Sequence, residues 1–261
     1  MLLAVAFGLA IGLAVGTLGG GGSVLAVPVL VYILGQPVEE ATTMSLVVVA
    51  SGAIAGAAGH ARAGRVCWRH AWSFTAAAIP GIALGTLAGE AVSGTLLVGA
   101  FGVIMLGAAH ATWRKVEEQS AASDWQPGGV CPPLRLPRDL VAGLLVGFVT
   151  GMFGVGGGFL IVPTLAIALA FTMRTAVGTS LAIITATSLL GLAAHLLAGR
   201  GIDAELTAAM SLACVAGALV GAGLATRLPQ RALGHGFALL VVAVATYLVL
   251  SAAFLGGPPG T

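Results

Sequence analysis

Apolar residues run along this chain in long stretches separated by short polar ones. Read in order, they form ten segments: residues 2–18, 24–34, 41–61, 69–89 and 93–113, then 138–153, 159–171, 176–198, 203–226 and 231–254. A helix needs about 20 apolar residues to cross the ~30 Å hydrocarbon core of a bilayer. Most of the stretches are long enough, and inside lipid only a helix or a closed barrel satisfies its own backbone polar groups. The pattern predicts an all-α polytopic membrane protein with about ten transmembrane segments. Two stretches, 24–34 and 159–171, fall short. Each follows a glycine cluster, Gly19-Gly20-Gly21-Gly22 and Gly154-Val155-Gly156-Gly157-Gly158, and each holds one proline, Pro28 and Pro163. These are expected as short or broken helices. The one long polar stretch, 114–137, reads as a solvated linker.

The two short stretches occupy matching places, and a shift of 135 residues aligns them. Residues 16–28 then lie on 151–163, Ala41 on Ala176, Ser45 on Ser180, Leu46 on Leu181, Gly56 on Gly191, His60 on His195, and Gly64-Arg65 on Gly199-Arg200. About twenty identities fall in some sixty ungapped positions, an internal repeat of the kind that builds many secondary transporters. The chain therefore divides into a first transmembrane repeat, 1–113, a linker, 114–137, and a second repeat, 138–261. Alternating the loops across a membrane places ten of the eleven basic residues on one side, leaving Arg200 with Glu39, Glu40 and Glu90 on the other. Cytoplasmic loops are the basic ones, so the linker is expected inside, both termini outside, and the second repeat inverted relative to the first. The parity is the same if each glycine-linked pair is a re-entrant hairpin.

Composition agrees. The chain is 58% hydrophobic and 8% charged, whereas a soluble domain carries about a quarter charged residues. The net charge of +2 does not point to nucleic acid, because the few charges sit in short loops rather than on one basic face. The first apolar run has no charged lead-in, so it reads as a retained membrane helix rather than a signal peptide. The cysteines Cys67, Cys131 and Cys214 are odd in number, with no CxxC and no metal-ligand spacing; they are expected as small apolar residues or loop thiols. Trp68, Trp72, Trp113 and Trp125 are expected at the basic interface.

Soluble-enzyme motifs are absent, and the acidic residues lie at segment ends or in the linker, leaving no obvious carrier for a buried proton relay. No enzyme activity, metal or cofactor is expected. The unusual feature is the pair of glycine clusters. Consecutive glycines leave backbone N–H groups uncovered and able to form an anion-binding nest. A helix N-terminus directly after them adds the positive end of its dipole. Gly19, Gly20, Gly21, Gly22, Ser23, Gly154, Gly156, Gly157 and Gly158 are therefore candidate substrate-binding residues, against the plainer reading of close helix packing through small residues. Thr43, Ser45, Thr179 and Ser180 open the following segments, where hydroxyls either cap N–H groups or donate to an anion. His60 and His195, near the ends of matching segments, suit a helix C-terminus or a gating role, and Pro28 and Pro163 a structural or gating one. His70, His110 and His235 lack repeat partners and are expected at the interface.

The second cluster through Pro163, with residues 176–181, His195 and Gly199-Arg200, closely resembles the TauE/SafE family; residues 19–28 and 43–46 resemble it too. The resemblance covers nearly the whole chain outside the linker. It implies a secondary transporter exporting a small sulfur-containing anion, such as sulfite, sulfoacetate or a similar organosulfonate, across the bacterial cytoplasmic (inner) membrane. It places the binding residues in and after the paired glycine motifs. Ser23 and Met44 stand where the second half has Gly158 and Thr179, so an asymmetric site is expected. The expected partners are a small anionic substrate, a coupling proton or other ion, membrane lipid and a second copy in a homodimer, with no nucleic acid. The alternatives are an uptake permease or channel for another small anion or solute, a cysteine-based membrane redox protein, and a scaffold without a substrate.

Overall fold

The computed structural model describes residues 1–89, 94–121, 131–153, 158–197 and 201–254. Every regular element among the described residues is helical. The first half holds α1 (Leu2–Leu18), α2 (Ala26–Pro28), α3 (Val38–Arg62), α4 (Trp68–Gly89) and α5 (Gly94–Ala121). The second holds α6 (Leu136–Phe153), α7 (Gly158–Pro163), α8 (Met173–Leu197), α9 (Ala204–Arg227) and α10 (Gln230–Phe254). Among the described residues five stretches are long and apolar enough to cross a membrane: Leu2–Ile33, Glu39–Arg62, Trp68–Gly89, Met173–Leu197 and Ala204–Arg227. Shorter apolar helices run over Gly158–Ala168 and Gln230–Thr246. Leucines such as Leu87, Leu197, Leu212 and Leu239 point outward, as lipid requires, and the chain is a multi-pass membrane protein.

The short stretches are broken as expected, and the hydrogen bonds that close their wide turns match. Gly19–Leu25 winds as a 3₁₀ helix, Ala26–Pro28 as one α turn, and Val29–Ile33 as a π-helix. The second copy repeats the end of this course, with α7 followed by the π-helix Thr164–Ala168. Proline has no N–H to donate, and both helices widen directly after theirs, Pro28 and Pro163. The wide turns close alike. Leu34 N donates to the Val29 carbonyl at 3.1 Å and Gln36 N to Leu30 at 3.0 Å; Leu169 N donates to Thr164 at 3.2 Å and Phe171 N to Leu165 at 3.0 Å. The residue that leaves the π-helix is left-handed in both copies: Gly35 at φ 68° and Ala170 at φ 57°. Glycine adopts that conformation freely and alanine does not. Ala170→Gly is expected to raise stability by about 1 kcal/mol, read as a higher thermal midpoint in detergent.

Glycines also set the packing between halves. A Cβ on Gly8 would lie 2.7 Å from the Met210 carbonyl oxygen, on Gly12 2.1 Å from that of Cys214, and on Gly16 2.2 Å from that of Ala218. Both numbers climb together, so α1 and α9 run parallel, backbone on backbone. Gly143, Gly147 and Gly151 meet the carbonyl oxygens of Phe74, Ala78 and Ile82 at 2.5, 2.3 and 2.1 Å, so α6 lies parallel to α4 in the same way. The first helix of each half is thus seated on the fourth helix of the other. The third helices cross in opposite directions: Thr43 near the start of α3 meets His195 near the end of α8, while Gly178 near the start of α8 meets His60 and Arg65. The start of α10 lies on the end of α5, where the rings of Trp113 and His235 stand 4.2 Å apart.

Local rules account for several ends. Glu39 and Glu40 sit in the first turn of α3 and His60 and Arg62 in its last, matching the helix dipole. Gly64, at φ 67°, turns the chain into α4 while Arg65 N returns to the His60 carbonyl at 3.0 Å. Asp203 caps α9 by accepting from Leu206 N at 3.1 Å.

Three expectations change. The polar stretch from 114 is not all linker, because α5 continues through Lys115 and Glu117 to Ala121. Thr43, Ser45, Thr179 and Ser180 lie inside α3 and α8 rather than opening them, since those helices start earlier; Thr172 caps α8 by accepting from Thr175 N at 3.4 Å. Cys67 and Cys131 are not free thiols but a disulfide, separated by 64 residues, while Cys214 is free and buried. The bridge ties the head of α4 to the chain just before α6. It follows from the parallel seating of those helices, which brings their starts together.

Candidate functional site

The chain doubles back at Gly19, whose φ is 72°. A Cβ on Gly22 would lie 2.5 Å from Val15 N, seven residues earlier; in a straight helix such residues are about 10 Å apart. Gly19 N–H is bonded to the Val15 carbonyl. The remaining glycines of the cluster have negative φ, so the segment is a tight 3₁₀ turn rather than a left-handed nest.

This turn meets the second broken segment. A Cβ on Gly20 would lie 1.6 Å from the Gly158 carbonyl oxygen, and one on Gly158 2.5 Å from Ser23 Oγ. Gly20, Gly22 and Gly158 are therefore needed for backbone approach. Gly19 faces Ser180, whose Oγ would be 2.7 Å from an added Cβ, and Gly21 faces the Phe237 ring at 3.2 Å. The structure thus brings together Gly19, Gly20, Gly21, Gly22, Ser23, Gly158 and Ser180. Gly154, Gly156 and Gly157 lie outside the described residues, as does Gly199-Arg200.

The hydroxyls divide into two groups. Ser23 Oγ donates to the Gly20 carbonyl at 2.7 Å and Ser180 Oγ to Val177 at 2.8 Å. Ser45 Oγ donates to Thr42 at 2.7 Å. Each is a bond to a carbonyl three residues back, which a serine exchanges for another acceptor by one rotation. Thr179 and Thr43 are committed elsewhere. Thr179 Oγ1 accepts the Cys67 N–H at 3.1 Å, and Thr43 Oγ1 lies 2.9 Å from His195 Nδ1 and 3.1 Å from the Glu39 carbonyl.

Of the two matched histidines, His60 lies in this region, while His195 meets Thr43 at the other end of α3. His60 is buried and its Nε2 donates to the Gly16 carbonyl at 3.0 Å, one turn before the reversal. Arg65 follows in the α3–α4 turn, and Arg174 stands one turn before Gly178, which touches the Arg65 backbone. Burial, then the nearby charge of Arg174, holds the Arg65 guanidinium below the usual arginine range. Among the described residues neither arginine makes an ion pair with a carboxylate. The approach to Gly19 and Ser180 from this end is electropositive.

Sequence reasoning missed a polar pair. His70, expected at the interface, is buried in α4, and its Nδ1 lies 2.5 Å from Oδ1 of Asp139, which is fully buried in α6. The neighbouring Arg69 and Arg138 are exposed. Only the spatial seating of α6 on α4 joins these residues, which are 69 apart in sequence. Of the other unmatched histidines, His110 is exposed and His235 packs on Trp113, whose indole Nε1 donates to Glu117 at 2.8 Å.

The family profile described as "Sulfite exporter TauE/SafE" matches residues 4–248. The chain belongs to the TauE/SafE family. Among its relatives is a probable membrane transporter protein of Xylella fastidiosa, 34% identical over 256 residues and covering 95% of each chain. Another, from Methanocaldococcus jannaschii, is 30% identical over 202 residues, 72% of this chain and 71% of that one. No solved structure matches. TauE/SafE proteins are membrane transporters, not enzymes.

Proposed function

We propose that this TauE/SafE protein is a secondary transporter exporting a small sulfur oxyanion, such as sulfite, sulfoacetate or a related organosulfonate, across the bacterial cytoplasmic membrane. In this reading residues 1–113 and 138–261 are two inverted repeats joined by a cytoplasmic linker, with both termini outside. The opposite courses of α3 and α8, and the exchange of α1 and α6 between halves, support the inversion. The observation that carries the function is the meeting of the two broken segments at Gly20 and Gly158, flanked by Ser23 and Ser180. Broken helices at membrane depth occur where they are buried in protein or line a cavity. Backbone N–H groups around the breaks and the two serine hydroxyls hold the anion without a buried cation. The electropositive end near Arg65 and Arg174 favours its entry. The family description names sulfite export, which supports a sulfur oxyanion leaving the cell.

The test is flux of sulfoacetate or sulfite through proteoliposomes, with the gradient imposed in each direction. Flux is expected to fall at least tenfold in Ser23→Ala/Ser180→Ala, while folding changes by about 1 kcal/mol per lost hydroxyl. Undiminished flux in the double variant would remove the serines from the site. Faster inward than outward flux under equal gradients would replace export by uptake.

A further inference from the structure

The His70–Asp139 pair has no part in holding the anion, yet its hydrogen bonds count its protons. His70 Nε2 lies 3.0 Å from the Pro132 carbonyl oxygen. A carbonyl only accepts, so Nε2 carries a proton. Nδ1 lies 2.5 Å from Asp139 Oδ1, so a second proton sits between those atoms. With both, the pair is neutral overall. The other carboxylate oxygen, Oδ2, is buried and has no partner. Buried carboxylate oxygens are rarely left so, because desolvation without a hydrogen bond is costly.

Packing does not require the pair. The matching crossing of α1 on α9 has Ala4 and Leu206 at the equivalent positions, both buried and both apolar. The same parallel seating is therefore built there without a polar atom. The pair also lies beside the second broken segment and the start of α8. The Phe171 ring stands edge-on to His70 with centroids 4.9 Å apart, and Phe171 closes the second π-helix. One turn before His70, Cys67 N–H is held by Thr179, the neighbour of Ser180.

We infer that His70 and Asp139 form a proton-binding site, in which a further proton loads onto Asp139 Oδ2 and is linked to the anion at the glycine breaks. Proton uptake turns the carboxylate into an acid and gives the pair a charge of +1. That charge lies in an apolar setting at the N-terminal ends of two helices, where their dipoles oppose it. An anion near Ser180 offsets it, so proton and anion favour each other's binding, and the coupling is reciprocal.

The surrounding charges are few. On the elements packed against the pair, Arg69, Arg135 and Arg138 are exposed and Arg174 donates to the Leu228 carbonyl at 2.8 Å. On α5, Arg114 is exposed, Lys115 is half-buried and Glu117 is held by Trp113. α4 and α8 contain no carboxylate, and α6 contains Asp139 alone.

The cargo in this inference rests on the proposed function; the proton site does not. Infrared spectra of the detergent-solubilised protein, followed as pH is lowered, are compared with those of Asp139→Asn and Asp139→Glu. A protonated-acid band shielded from solvent exchange is expected in the wild type and in Asp139→Glu and is lost in Asp139→Asn. Its absence from the wild type at every pH where the protein stays folded overturns the site. In proteoliposomes with a trapped pH dye, the protons moved per sulfoacetate are expected to fall at least tenfold in Asp139→Asn. An unchanged ratio overturns the coupling. A band without any sulfoacetate flux supports the proton site and overturns the cargo.

Discussion

Gly12→Val is expected to destabilise the folded protein by about 3 kcal/mol or more. The added Cβ would sit 2.1 Å from the Cys214 carbonyl oxygen, and the atoms opposing it are backbone, which no rotamer change can move aside. The α1–α9 seam would have to open along its length, losing the close approach at Gly8 and Gly16 as well. Overpacking usually costs 1–3 kcal/mol, and a clash against backbone belongs at or above the top of that range, about 3 kcal/mol. Gly223→Ala is the matched control. Gly223 lies on the same helix α9 with nothing within 4 Å of an added Cβ, so alanine there gains up to about 1 kcal/mol of helix propensity. Size-exclusion profiles and thermal midpoints in detergent separate the two. A monodisperse Gly12→Val protein with a wild-type midpoint would show that the seam is not close-packed.

The second large effect is a cycle at the buried pair. Asp139→Ala strands the His70 imidazolium away from water, and His70→Leu strands the Asp139 carboxylate with neither oxygen partnered. Breaking one side of a buried ion pair costs about 3–5 kcal/mol. The double variant His70→Leu/Asp139→Ala recreates the Leu206 and Ala4 arrangement already present in the other half. It is expected to recover to within about 1–2 kcal/mol of wild type, far above the sum of the single losses. Additive losses would mean that the two residues do not act on each other.

What was legible in the sequence follows from how local each signal is. Hydropathy and glycine–proline punctuation marked α1 to its last residue and placed both broken segments, because each depends on neighbours within a few turns. The repeat was legible because Pro28, Ser45 and His60 recur in one frame as Pro163, Ser180 and His195. The Cys67–Cys131 bridge and the His70–Asp139 pair were not legible. Each joins residues more than sixty positions apart, and neither has a counterpart in the other half to draw attention to it. At the candidate site the glycine clusters were legible as a feature, but the contacts each glycine makes were not. Gly20, Gly22 and Gly158 admit backbone, while the hydroxyls of Thr43 and Thr179 have partners that only the crossing of α3, α4 and α8 supplies.

The exchange of first helices has a consequence for how the protein is made. α1 leaves the ribosome before the other helices described above, yet the surface on which Gly8, Gly12 and Gly16 rest belongs to α9, about 200 residues later. Until then its glycine face has only lipid against it. α4 waits a shorter time, because only α5 and the linker separate it from α6. Biogenesis therefore includes a late capture step: the arrival of α9 locks α1 into place, and neither half reaches its final form before that moment.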